Sequence, residues 1–105
     1  MRKALLILAT ILVSSSALAQ PLSPAAQRGL NFARANCARC HAIDKSSESP
    51  LRIAPAFRTL HTRYPLENLE EPLAEGIVTG HQNMPEFRLD PGQIADFIAF
   101  LKSLQ

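Results

Sequence analysis

Tryptophan is absent from this 105-residue chain, and tyrosine occurs once beside five phenylalanines. So few rings give a thin core, and a domain this small often needs a metal, a disulfide or a bound group to hold it together. No segment alternates apolar and polar residues with the two-residue period of a strand, which points to an all-α chain. There are no internal repeats, and no second long apolar run follows the one at the start. A basic excess is missing too. The formal charge is +2, but Arg2 and Lys3 precede the first apolar run; beyond it, nine basic residues face nine acidic ones. That balance argues against nucleic-acid binding, which usually shows as a basic domain.

The opening residues have their own pattern. Met1-Arg2-Lys3 is followed by the apolar run Ala4–Val13 and the small-residue exit Ala17-Leu18-Ala19. These are the three parts of a secretory signal, and the run falls short of the roughly 20 residues that span a bilayer. Cleavage after Ala19 is expected, leaving one domain over residues 20–105 that is exported to the periplasm with no membrane span. No cysteine follows the exit to take a lipid anchor.

Within that domain, Ser23-Pro24 reads as an N-cap followed by proline at the first helical position. The helix is expected to run from Pro24 to about Asn36, with Ala26, Gly29, Leu30, Ala33 and Cys37 on one face. Gly29 lowers helix stability by about 1 kcal/mol, so a close crossing with another helix is its expected reason. Residues 44–59, with Pro50 and Pro55 among serines, read as an irregular loop. A second helical stretch is expected over 65–78, interrupted at Pro72. The last helix is the plainest. Asp90 caps it, Pro91 opens it, Gln93 completes a capping box, and Ile94, Phe97, Ile98, Leu101 and Leu104 form a stripe with Phe100 beside it.

Both cysteines lie in one short stretch, NCARCHAID, three apart and with a histidine directly after the second. Three uses compete. A redox disulfide usually sits in a thioredoxin-like βαβ setting, and this chain has no strands to build one. A zinc site normally takes four Cys or His ligands; two cysteines and three histidines can supply that number, but at odd spacing. Covalent attachment of haem uses every residue of CxxCH. Residues three apart on a helical turn project to the same side, so Cys37 and Cys40 can take two neighbouring vinyl groups while His41 offers its imidazole to the iron. Haem iron in electron carriers often takes a methionine sulfur opposite the histidine, which raises the potential. Apart from Met1 the chain has one methionine, Met84, in the loop segment NMPEF rather than on a helix face. Met84 is therefore expected as the second axial ligand. His61 and His81 are its rivals, His81 the closer one.

These residues resemble a small class I cytochrome c of the soluble bacterial single-haem type. The resemblance covers essentially all of residues 20–105: Gly29 eight residues before Cys37, CARCH, Pro55 in APAF, NMPEF, and the closing FIAFLKSL. It implies an all-α cytochrome c fold whose first and last helices cross, with Gly29 against Phe97 and Phe100. It implies that the Pro55 carbonyl accepts a hydrogen bond from His41. One place departs from the family pattern. An aromatic often stands four residues after the glycine, but here that position is Ala33 and Phe32 comes one earlier. The function implied is a monomeric electron carrier with one haem c, its iron held by His41 and Met84, exchanging electrons with redox protein partners; it is not an enzyme. A catalytic or gas-sensing haem with a labile methionine, and a dedicated subunit of an oxidoreductase complex, are the alternatives. Tyr64, Arg58 and Arg63 are candidates for the propionates, with ordinary surface positions as the competing reading. Seven basic residues from Arg28 to Arg63 against Asp44 and Glu48 place the positive charge in the half that carries CARCH.

Overall fold

The computed structural model describes residues 9–15, 21–76 and 84–105. Helix α1 covers Pro24–Asn36 and begins as expected, with Ser23 Oγ accepting the Ala26 amide at 3.1 Å and Pro24 in the first turn. Its buried positions are Ala26, Gly29 and Ala33, all small. The last helix covers Pro91–Ser103, and its capping box is formed reciprocally. The Gln93 amide donates to Asp90 Oδ1 at 2.8 Å, and the Asp90 amide donates to Gln93 Oε1 at 3.1 Å.

The small face of α1 lets the last helix approach closely. A Cβ on Gly29 would overlap the Asp96 carbonyl oxygen and come within 2.6 Å of Phe100 Cβ. That explains a residue the helix would otherwise avoid, and it moves Phe100 from the margin of the apolar stripe to the centre. Phe100 is 2% exposed and Leu101 1%, and burying a side chain of that size is worth about 1.5–3 kcal/mol. Phe32 takes up the ring position that Ala33 leaves empty. It packs edge-on to Phe97 with ring centroids 5.7 Å apart, while Ala33 is fully buried. Arg28 closes the crossing with a two-pronged bond to Asp96 at 2.8 and 2.9 Å, the geometry in which a surface ion pair counts for most. The hydrogen bonds from Arg28 lower the Asp96 pKa. Their contribution is therefore present above the unfolded carboxylate range and lost as pH falls through the folded value.

Gly29→Ala is expected to destabilise the protein. Helix propensity alone favours alanine by about 1 kcal/mol. The clash is with backbone, which cannot swing away, and overpacking of this kind costs about 1–3 kcal/mol. A net loss of about 1 kcal/mol, and up to about 2, should appear as a lower denaturant midpoint at unchanged slope. A midpoint at or above the parent's would mean that the crossing yields.

The middle of the chain is partly more regular than expected. Asp44 builds a turn by accepting the Ser46 and Ser47 amides and the Ser47 hydroxyl, which lowers its pKa to about 2. The irregular reading fails at its end, where a 3₁₀ turn covers Phe57–Thr62 and buries Phe57 and Leu60 three residues apart. A second 3₁₀ turn, Leu66–Leu69, runs into helix α2, Glu70–Glu75. Pro72 lies in the first turn of α2, where its missing N–H breaks no helical bond, so the interruption is realised as a change from 3₁₀ to α. The helix ends at Gly76, whose φ of +102° suits glycine; 77–78, the end of the expected stretch, lie outside the described residues. With the Pro91–Ser103 helix as α3, the described residues form an all-α fold without strands. Ile11, Leu12 and Val13 are exposed, and among the described residues no helix is long and apolar enough to cross a membrane.

Candidate functional site

The end of α1 delivers the cysteine motif. The Cys37 amide donates to the Ala33 carbonyl at 2.8 Å, and the Cys40 and His41 amides both return to the Cys37 carbonyl, at 3.1 and 2.9 Å. The chain thus coils through one more turn, and Cys37, Cys40 and His41 come to line the same cavity of about 700 Å³. That volume is in the range of small-molecule and cofactor sites. The 3₁₀ turn and its flanks supply Leu51, Pro55, Phe57, Leu60 and Tyr64; α2 and the turn before it supply Leu69 and Leu73; α3 supplies Phe97. Met84, Pro85 and Phe87 complete the wall. A wider, more open groove of about 950 Å³ lies between the start of α1 and the end of α3, but no cysteine, histidine or methionine lines it.

The segment after the motif folds back to hold His41. The Leu51 amide donates to the Cys40 carbonyl at 3.1 Å, and the Phe57 amide to the Ala42 carbonyl at 3.0 Å. This brings the Pro55 carbonyl oxygen to 2.8 Å from His41 Nδ1. A carbonyl only accepts, so Nδ1 carries the proton and Nε2 keeps its lone pair. An imidazole so oriented is prepared to ligate a metal through Nε2. Phe57 supports the ring from one side at a centroid distance of 4.8 Å.

The two thiols are free. Burial pushes the Cys37 thiol up to about 11. That is the opposite of a reactive redox cysteine, whose pKa is lowered. Among the described residues no group of three or more His, Cys, Asp or Glu side chains is placed to hold a metal ion. The donor set instead fits a haem: two thiols adjacent along one wall, an imidazole with its outer nitrogen free, a thioether, and apolar walls between them.

The residues singled out in the sequence separate here. Cys37, Cys40, His41, Pro55, Met84 and Tyr64 line the cavity, whereas His61 is exposed on the 3₁₀ turn and does not. His81 lies outside the described residues. Arg58 donates to the Ser47 carbonyl at 2.6 Å and so ties down the Asp44 turn, and Arg63 is exposed and not part of the lining. Of the three propionate candidates only Tyr64 reaches the cavity; partial burial raises its pKa and keeps it a phenol. Leu69 and Leu73, expected on one side of the second helical stretch, and Phe57, Leu60 and Phe87, which the sequence did not single out as lining residues, make much of the apolar wall. The three-residue spacing of Phe57 and Leu60 was the available signal, obscured by the prolines before it.

A family model for cytochrome c matches residues 26–105. Cytochrome c6 of Picosynechococcus sp. is 33% identical over 108 aligned positions, spanning 96% of this chain and 92% of that protein. No solved structure gives a significant match. A helical fold around one apolar cavity, the cysteine motif on its wall and a family match over nearly the whole folded part lead to one assignment: the chain belongs to the cytochrome c family, as a small electron carrier with covalently bound haem c rather than an enzyme.

Proposed function

We propose that this protein is a periplasmic electron carrier in which Cys37 and Cys40 hold one haem c through thioether bonds and His41 and Met84 fill both axial positions of its iron. The observation that carries this reading is that both thiols, the oriented imidazole and the Met84 thioether line one largely apolar cavity. When bound, the haem supplies an iron that alternates between the ferric and ferrous states. Pro55 holds the His41 ring and fixes its proton on Nδ1. Leu51, Leu60, Leu69, Leu73, Phe57 and Phe97 exclude water, which together with the axial pair sets the potential. With both axial positions filled by the chain's own side chains, no site is left for a substrate.

Export rests on the first residues. Arg2 and Lys3, the apolar run Ala4–Val13 and the exit Ala17–Ala19 have the form of a cleavable signal. The exposed Ile11, Leu12 and Val13 suit a segment that leaves before the domain acts. The mature protein is then residues 20–105, a monomer that meets its redox partners in solution.

Charge indicates which partner surface fits. Arg39 lies between the two cysteines, is exposed on the cavity wall, and has no acidic partner among the described residues. An acidic redox protein would be steered toward it, and steering of this kind weakens as salt screens it. The purified protein should titrate as a one-electron couple. Its electron-transfer rate with an acidic redox protein should fall as ionic strength rises, and Arg39→Gln should flatten that dependence. Lack of a reversible one-electron couple would remove the carrier role, whereas a rate indifferent to salt in both proteins would remove only the docking role.

A further inference from the structure

The stretch Pro55–Phe57 meets His41 twice. The Pro55 carbonyl oxygen lies 2.8 Å from His41 Nδ1, and the Phe57 ring packs on the imidazole at a centroid distance of 4.8 Å, the two planes tilted by 36°. Among the described residues it is the one aromatic ring packed against His41. This ring has no room to swing away. Phe57 is 6% exposed, and it also meets Phe97 of α3 edge-on, with centroids 5.7 Å apart. Phe97 is itself buried and is held edge-on by Phe32 of α1 at 5.7 Å. The imidazole is thus backed by a row of rings that ends in the α1–α3 crossing. The backbone of the stretch is fixed separately, because the Phe57 amide donates to the carbonyl of Ala42, the residue after His41, at 3.0 Å.

From this we infer that Phe57 is a positioning residue for His41: its ring sets the rotation of the imidazole plane about the axis through Nε2, and so the orientation in which that ligand meets the iron. The inference rests on the reading of His41 as an axial ligand and is independent of Met84. The two contacts divide the task. A hydrogen bond prefers an angle above about 150° and weakens steeply below about 120°. The bond to Pro55 therefore fixes the tautomer and the side to which Nδ1 points, but leaves the plane a swing of roughly 30°. A ring packed at this tilt and distance narrows the swing, because rotation about the Nε2 axis drives one edge of the imidazole into it. The row of rings behind Phe57 makes that stop firm. An imidazole held in one plane overlaps one of two iron orbitals of like energy and splits them. Its orientation is therefore readable in the spectrum of the ferric protein.

Excess cyanide added to the ferric haem-loaded protein takes the position opposite His41. Cyanide is cylindrical and has no plane of its own, so the proton NMR shifts of the haem methyl groups then report the imidazole plane alone. The parent should give one well-spread set of methyl signals. Phe57→Leu removes the ring but keeps the amide at position 57, and with it the place of the Pro55 carbonyl. In this variant the order of the methyl signals should change, or their spread narrow by a quarter or more, as the plane turns or swings. Phe100→Leu is the control. Phe100 is buried at the α1–α3 crossing and does not line the cavity. The same atoms are then lost from the core and the denaturant midpoint falls, while order and spread should stay within a tenth of the parent's. Should Phe57→Leu fail to mature, Phe57→Met, longer and also without a ring, is read in its place. Parent-like order and spread in the ringless variant overturns the inference. So does an equal change in Phe100→Leu, which assigns the effect to a loosened core, or failure of both ringless variants to mature, which makes Phe57 a residue of the fold alone. A parent adduct without the proton signals of a bound imidazole is a different failure, which removes His41 from the iron and ends the inference with it.

Discussion

Produced without haem, residues 20–105 should fail to fold. Phe57, Leu60, Leu73 and Phe97 belong to the buried core and also line the cavity. With nothing in the cavity, the walls they form lose the partner atoms they would pack against on that side. An unfilled apolar cavity costs stability in proportion to its volume, and the cost of this one, at about 700 Å³, is large beside the roughly 5–15 kcal/mol that holds a whole domain. Much of the rest of the core is the α1–α3 crossing, where Ala26, Gly29 and Ala33 of α1 and Phe100 and Leu101 of α3 are buried. Two helices of 13 residues each are marginal in isolation. Circular dichroism of chain expressed without the attachment machinery should show weak helical signal and no cooperative melting, with the native spectrum recovered only in haem-loaded protein. A fully helical apo-protein that melts cooperatively would mean that the crossing suffices and the cavity residues repack.

Met84→Ala should be the most damaging substitution for redox function that leaves the chain folded. A thioether opposite an imidazole favours the ferrous state relative to water or a second imidazole. Removing it should lower the potential by on the order of a tenth of a volt or more, within the ~0.8 V that axial ligands span. It should also leave the reduced protein able to bind CO. His61→Ala should do neither, since His61 is exposed and away from the cavity lining, and His81→Ala should leave the spectrum unchanged. Visible spectra of the three variants with and without CO, together with potential titrations, give the comparison. A normal low-spin methionine-type spectrum in Met84→Ala would show that Met84 is not the ligand.

What the sequence could reveal depended on how far each feature reaches along the chain. The helix starts at Ser23-Pro24 and Asp90-Pro91 are made by residues within four positions of each other, and both form where expected. The CARCH turn is local in the same sense. Gly29 announced a close contact by being a poor helix residue, although its partner at the Asp96 carbonyl is 67 positions away. The cavity wall was less legible, because Leu51, Leu60, Leu73 and Phe87 look like any apolar residue until the fold brings them together. Arg58 was ambiguous for a related reason. A long cationic side chain has many possible partners, and its choice of the Ser47 carbonyl depends on a turn that Asp44 builds. The 3₁₀ turn at Phe57–Thr62 was hidden by the prolines before it, which signal irregular chain but do not say where regular structure resumes.

A covalently held haem closed on both faces by His41 and Met84 would leave no position for an added ligand, so the decisive observation is the visible spectrum of the purified reduced protein before and after CO. A low-spin spectrum that CO leaves unchanged is the predicted result. A high-spin spectrum, or one that shifts when CO is added, would show a coordination position open to ligands and rule out closure by His41 and Met84.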